Sequence, residues 1–198
     1  GANGRVLAPP YALPGVRAPQ SPYTEETASL RVLNALAAHD EARGLERRPV
    51  LSPWHVLLAD GDPATGAPDR RGASSEIVDV KSLHAAGFKV VPWTVNERAR
   101  MDQLLKLGVD GLISDSPDTL YAAVAAFDAD GDGLPGDYLD ADGNIDPRRF
   151  DAEGHRGARD LRPESTLPAF EAALDFGMTT LETDCGITKD GVPILSHD

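Results

Sequence analysis

The strongest constraint on the fold lies between residues 151 and 185. "DAEGHRGARDLRPESTLPAFEAALDFGMTTLETDC" reads as strand end, polar loop, helix and second strand. Ser165 or Thr166 can cap the helix, and Pro168 is tolerated in its first turn. Leu167, Phe170, Ala173 and Leu174 recur at helical spacing as an apolar face, and Gly177 suits the position just past the end. This is a βαβ unit whose polar residues gather at strand carboxyl ends. In a (β/α)8 barrel the active site sits at those ends.

The second strand carries its own chemistry. In "TTLETDC" Leu181 alternates with Glu182 and Asp184, which places both carboxylates on one face. Asp190-Gly191 signals a two-residue hairpin turn, and "VPILSHD" reads as the returning strand. That turn pairs Lys189 with Val192, and further along it sets Asp184 opposite His197. Directly opposed residues have Cβ atoms roughly 4.5–5.5 Å apart. Two neighbouring carboxylates repel unless a positive group joins them, and a hard divalent cation with oxygen ligands would do so. A neutral His beside it can serve as general acid or base. The plainer alternative is the polar outer face of an ordinary hairpin.

The stretch "GHRGARDLRPESTLPAFEAALDFGMTTLETDCGITKDGVPILSHD" resembles the amino-terminal signature of the glycerophosphodiester phosphodiesterases: HRG, a PEN-T-L-x-A-F helix start, E-x-D, a T-x-D-G turn and H-D. Ser165 departs from it, standing where the family usually has Asn. The resemblance implies that His155 and His197 are the acid/base pair. It implies that Glu182 and Asp184 ligate a divalent metal, calcium or magnesium, and that Arg156 contacts the phosphate. The implied reaction is metal-assisted hydrolysis of a small-molecule glycerophosphodiester to glycerol 3-phosphate and an alcohol. A bound cation would also offset repulsion between an anionic substrate and an acidic protein.

An earlier stretch, "VDVKSLHAAGFKVVPWTVNERARMDQLLKLGVDGLISDSPDTL", is similar to the carboxy-terminal end of the same family. It reads as a helix over 77–86 ended by Gly87, a buried strand "FKVVPW", a helix capped by Asn96 and closed by Gly108, and a strand "DGLIS". A third helix starts at Ser116-Pro117. By resemblance, Trp93 and Asn96 lie at one strand end, lining the pocket mouth, and Asp115 lies at the next. The expected fold class is therefore α/β, an incomplete TIM-type barrel that holds strands and helices from the end and then the start of a barrel. The reversed order fits a junction between two tandem domains, or a circular permutant. The expected organisation is a carboxy-terminal barrel portion over 1–127, a linker over 128–150 and an amino-terminal portion over 151–198. The third acidic ligand and a Lys, which the family places on middle strands, find no E-x-K strand in residues 1–76. The segment alone is thus expected to be inactive.

The linker "DADGDGLPGDYLDADGNIDPRRFD" holds seven Asp between Asp128 and Asp146, with no Lys or Arg among them. Asp128, Asp130 and Asp132 followed by Gly133 match the opening of an EF-hand-type calcium loop, with Asp137 and Asp140 as further candidates. Position twelve would be Leu139 instead of Glu. A solvated acidic loop is the alternative.

Residues 1–76 say less. A Pro-rich start precedes an amphipathic helix with Leu30, Leu33, Leu36 and Ala37 on one side, then a strand near 50–58 and a polar loop. The formal net charge of −13 argues against nucleic-acid and anionic-membrane partners. A single cysteine, Cys185, excludes an internal disulfide framework. No apolar run is long enough to span a membrane. The calcium-type loop points to an extracytoplasmic location, and the sequence leaves the oligomeric state open. Besides the enzyme, a calcium-dependent binding or adhesion segment built on degenerate barrel halves stays open.

Overall fold

The computed structural model describes residues 26–45, 48–59 and 78–197. The Pro-rich start, the polar loop over 61–75, Ile77 and Asp198 lie outside the described residues. The chain divides into two compact units, Gly1–Val90 and Val91–Asp198.

In the first unit, helix α1 (Glu26–Glu41) buries Leu33, while Leu36 on the same expected face is exposed. Strand β1 (Val50–Leu51) lies parallel to β2 (Lys89–Val90), with Val50 beside Lys89 and Leu51 beside Val90. The strand expected over 50–58 gives way after two residues to a 3-10 turn at His55–Leu57. Pro53 lacks a donor for a sheet ladder, which accounts for the break. Helix α2 (Val80–Ala85) starts later than its hydrophobic pattern suggests. Asp79 is its N-cap, accepting from the backbone N–H groups of Lys81 and Ser82. Gly87 follows it in the left-handed region at φ +80°.

The second unit runs α3 (Arg98–Leu107), β3 (Gly111–Ser114), α4 (Pro117–Ala125), β4 (Asp151–His155), α5 (Leu167–Asp175), β5 (Thr180–Glu182), β6 (Cys185–Ile187) and β7 (Pro193–Leu195). Met101, Leu104 and Leu105 of α3 are buried as their spacing requires, and Gly108 closes the helix at φ 85°. Strands β3, β4 and β5 form one parallel sheet in that order. The "DGLIS" strand therefore lies directly beside the "AEGH" strand, with Ser114 level with Gly154 and His155 level with Glu182. Strands β6 and β7 make a separate antiparallel hairpin. Among the described residues no sheet closes into a barrel.

Helix α5 corrects the expected apolar face. Thr166 caps it through Ala169 N–H as predicted, but Leu167 and Leu174 are exposed, and Ala169 and Ala173 are buried. Two glycines decide this. A Cβ on Gly157 would come within 2.7 Å of the Ala169 carbonyl carbon, and one on Gly154 within 2.9 Å of the Ala173 Cβ. The helix packs its small residues against the end of β4, so the large ones face away.

The linker folds onto its surroundings. Phe127 stacks on Tyr138, and Tyr138 on Phe150, at ring-centroid distances of 5.7 and 5.1 Å. Tyr121 Oη donates to the Gly143 carbonyl at 2.7 Å. Leu139 and Ile145 form an antiparallel bridge.

Candidate active site

Three parallel strand ends bring the site together. His155 ends β4, Glu182 ends β5, and Asp115 follows β3. His155 Nδ1 lies 2.6 Å from Asp115 Oδ1, and its Nε2 lies 3.8 Å from Glu182 Oε2. Asn96 holds Asp115 from the other side. Its Nδ2 donates to Asp115 Oδ2 at 2.7 Å, while its Oδ1 accepts the Asp115 backbone N–H at 2.9 Å and the Ser114 hydroxyl at 3.2 Å. This corrects the expected role of Asn96 as helix cap. Glu97 occupies the cap position with no side-chain bond, because the Asn96 amide is committed to Asp115. Burial alone would raise the Asp115 carboxyl, yet bonds to His155 and Asn96 hold it below the ordinary carboxylate value.

Arg156 takes a left-handed backbone conformation at φ 50°. That turn sends its backbone N–H to Glu182 Oε2 at 3.2 Å. Its buried guanidinium reaches Glu164 Oε1 at 2.8 Å through Nη1 and lies 3.2 Å from Asp184 Oδ2 through Nε. Burial would lower this guanidinium, but Glu164, Asp184 and Glu182 together hold it above its ordinary value. Glu164 is shared, its second oxygen pairing with Arg159 Nε at 2.6 Å.

Glu182 and Asp184 therefore both meet Arg156 and present hard oxygen donors, partly open to solvent. Around them Arg156 Nε and Thr183 Oγ1 are buried without hydrogen-bond partners. The carboxylate oxygens fit a hard divalent cation, while the Arg156 Nε–H, which makes no hydrogen bond, is a donor open to an anion such as phosphate.

His197 is exposed, and the hairpin register differs from the expected one by a residue. Cys185 pairs with Leu195, so Ser196 follows opposite Asp184 and donates its N–H to the Asp184 carbonyl at 3.2 Å. The turn has three loop residues, not two. Thr188 N–H donates to the Val192 carbonyl, and Gly191 alone takes positive φ, so Asp190-Gly191 cannot form a type I′ turn. The Thr188 hydroxyl accepts the Val192 N–H at 3.0 Å and fixes the longer loop. Trp93 is exposed, on a segment whose flanking Pro92 and Val95 bond the backbone of Ile113 in β3.

In the linker, ligand atoms of Asp128, Asp130 and Asp137 lie within 4.8 Å of one another. Asp128 also accepts N–H groups from Gly131 and Gly133. Asp132 and Asp140 stand outside this trio. Asp132 accepts from Leu134 N–H, and Asp140 from the N–H groups of Asp142 and Asn144.

Glu164 and Arg159 carry no candidate role in the sequence, and the resemblance gives Asn96 and Asp115 only a place at strand ends, without the contact to His155. Their signal was weak because each acts through a partner at another strand end or loop. Only the strand-end positions of Asn96 and Asp115 pointed that way.

The profile of the Glycerophosphoryl diester phosphodiesterase family matches residues 64–119 and 155–198, just over half the chain. A glycerophosphodiester phosphodiesterase from Caldanaerobacter subterraneus is 33% identical over 96 residues, covering 48% of this chain and 38% of that protein. A rat glycerophosphodiester phosphodiesterase 1 is 46% identical over 55 residues, covering 27% of this chain and 17% of its own length. A human glycerophosphoinositol inositolphosphodiesterase is 49% identical over 45 residues, covering 23% and 8%. The chain thus spans well under half the length of these relatives. No solved structure gives a significant match.

Proposed function

The chain belongs to the glycerophosphoryl diester phosphodiesterase family, and from that premise we propose that the protein carrying it hydrolyses glycerophosphodiesters to glycerol 3-phosphate and an alcohol. The observation that supports this best is the meeting of His155, Arg156, Glu182 and Asp184 at neighbouring strand ends. In this reading one imidazole, of His155 or His197, takes the proton of the attacking water as its oxygen bonds to phosphorus. The other gives a proton to the departing alkoxide as the P–O bond breaks. Arg156 binds a phosphate oxygen, and Trp93 borders the pocket mouth. Glu182 and Asp184 would hold the divalent metal, calcium or magnesium, which supplies charge stabilisation for the phosphoryl oxygens.

The fold in this reading is part of a TIM-type barrel. Residues 1–127 supply a carboxy-terminal portion, 128–150 a linker and 151–198 an amino-terminal portion. The pairing of β3 with β4 suits the neighbouring last and first strands of a barrel. The linker trio is a second cation site suited to calcium, and such a loop accords with an extracytoplasmic location. The adhesion reading draws on these linker carboxylates alone.

The test is release of glycerol 3-phosphate from glycerophosphocholine by this chain and by the intact protein, with and without divalent metal. The intact protein should turn over only with metal, and His155→Ala should cost roughly 10²–10⁴-fold or more. Full activity in the His155→Ala protein would overturn the proposal.

A further inference from the structure

Asp115 precedes the linker and His155 follows it, yet their side chains meet at 2.6 Å. We propose that Asp115, oriented by Asn96, is a positioning residue for His155: it selects the imidazole tautomer with hydrogen on Nδ1 and leaves the Nε2 lone pair facing the reacting groups.

The geometry carries the argument. The Asp115 side chain is 9% exposed and the His155 ring 14%, so water competes weakly for either group. The Nδ1–Oδ1 distance of 2.6 Å is that of a short charge-assisted hydrogen bond. An ionised carboxylate has only acceptors, so Nδ1 must be the donor, and a neutral ring then carries no hydrogen on Nε2. Nε2 points towards Glu182, whose oxygen at 3.8 Å is too far for a hydrogen bond. It is therefore the nitrogen available for proton transfer. Arg159 Nη1, 3.8 Å from the same Asp115 oxygen, adds a positive charge that favours the carboxylate.

Asn96 makes the selection stringent. Its Oδ1 is fixed by the Asp115 N–H and the Ser114 hydroxyl, so its Nδ2 must be what faces Asp115 Oδ2. In an Asp115→Asn protein, that donor would draw the amide oxygen towards itself. The new NH₂ group would then face His155 Nδ1, which would have to accept. The ring would switch to the Nε2–H tautomer, with almost no change in shape or volume. The same logic applies wherever an amide replaces a carboxylate behind a catalytic histidine.

The inference rests on the acid/base role proposed for His155, but its test does not need turnover. Nitrogen-15 shifts of the His155 ring in the 198-residue chain, at alkaline pH where imidazoles are neutral, report the tautomer directly. The wild type should show Nδ1–H, and Asp115→Asn should show Nε2–H. Asp115→Asn combined with Asn96→Ala should recover Nδ1–H, because the amide is then free to turn its oxygen to the ring. An Nε2–H ring in the wild type overturns the proposal even if no variant folds. So does an Nδ1–H ring in a folded Asp115→Asn protein. In the intact protein, Asp115→Asn should lower kcat by about 10²-fold or more with KM little changed, and the double substitution should restore part of it. If both tautomers behave as stated while the intact protein releases no glycerol 3-phosphate, the enzymatic reading fails and the positioning role stands.

Discussion

Ser165 donates its backbone N–H to the Arg156 carbonyl at 2.9 Å, and among the described residues these two are the non-glycine positions with positive φ, at 57° and 50°. Two left-handed residues, nine apart in sequence, thus lock the loop that carries Arg156 into the site. The strain at Arg156 aims its N–H at Glu182. The strain at Ser165 has no such return, since its hydroxyl is buried without a partner.

Ser165→Asn should therefore stabilise the protein. A left-handed residue costs roughly 1–2 kcal/mol, and Asn tolerates it better than Ser. Asn is also what the family usually carries there. The urea midpoint should rise by the equivalent of about 0.5–1 kcal/mol, and Ser165→Val should lower it by more than that. A lower midpoint for Ser165→Asn would show that the loop has no room for the amide.

Glu153 sits on β4 two residues before His155 and titrates at about 7 instead of 4.5. Burial is the main cause, reinforced by the Asp151 and Glu182 carboxylates. Because the folded value lies above the unfolded one, the neutral acid favours folding. Its contribution is complete below about pH 4.5 and is lost as pH rises through about 7. With a chelator present, Tm of the wild type should fall relative to Glu153→Gln across that window, by on the order of 5 °C. Parallel Tm curves for the two proteins would contradict the shift.

How much of this was legible depended on where each answer was stored. The ends of α3 and α5 were readable because Gly108 and Thr166 act within a turn of themselves. The β3–β4 pairing was readable only through the family resemblance, since the last and first strands of a closed barrel are neighbours whatever their order in the chain. The hairpin register was not, since the choice between a two- and a three-residue loop fell to the Thr188 hydroxyl, which competes for the Val192 N–H. Leu167 and Leu174 looked like core, but Gly154 and Gly157, on another element, reserved that surface for alanine. Asn96 looked like a cap because caps are local, whereas its partner Asp115 is 19 residues away.

The linker should bind calcium through Asp128, Asp130 and Asp137. Calorimetry on the whole chain should show a site in about the micromolar to millimolar range. Asp130→Ala and Asp137→Ala should weaken it at least about tenfold, as each removes a charged ligand. Asp140→Ala should leave it nearly unchanged, since that carboxylate serves the N–H groups of Asp142 and Asn144. Equal heats across the wild type and the first two variants would leave the trio as a loop-shaping cluster only.

Gly111 tests whether the two family segments depend on one another. It opens β3 and lies level with Asp151, which opens β4. A Cβ at Gly111 would fall 2.3 Å from the Asp151 carbonyl oxygen, a backbone atom that cannot swing aside. Gly111→Ala must therefore pry the strands apart where they begin. Overpacking of this kind costs about 1–3 kcal/mol, and more where backbone must move. Asp115 lies four residues beyond Gly111 and His155 four beyond Asp151, so the disturbance runs along the ladder that holds the 2.6 Å contact. Amide exchange should quicken over 151–155 and 111–114, and the His155 ring signals should broaden or shift although no site residue has changed. The α3 amides, which belong to neither strand, should keep their protection. Unchanged exchange in β4 would mean that the strand is held by β5 alone, and that the segment after the linker assembles without the one before it.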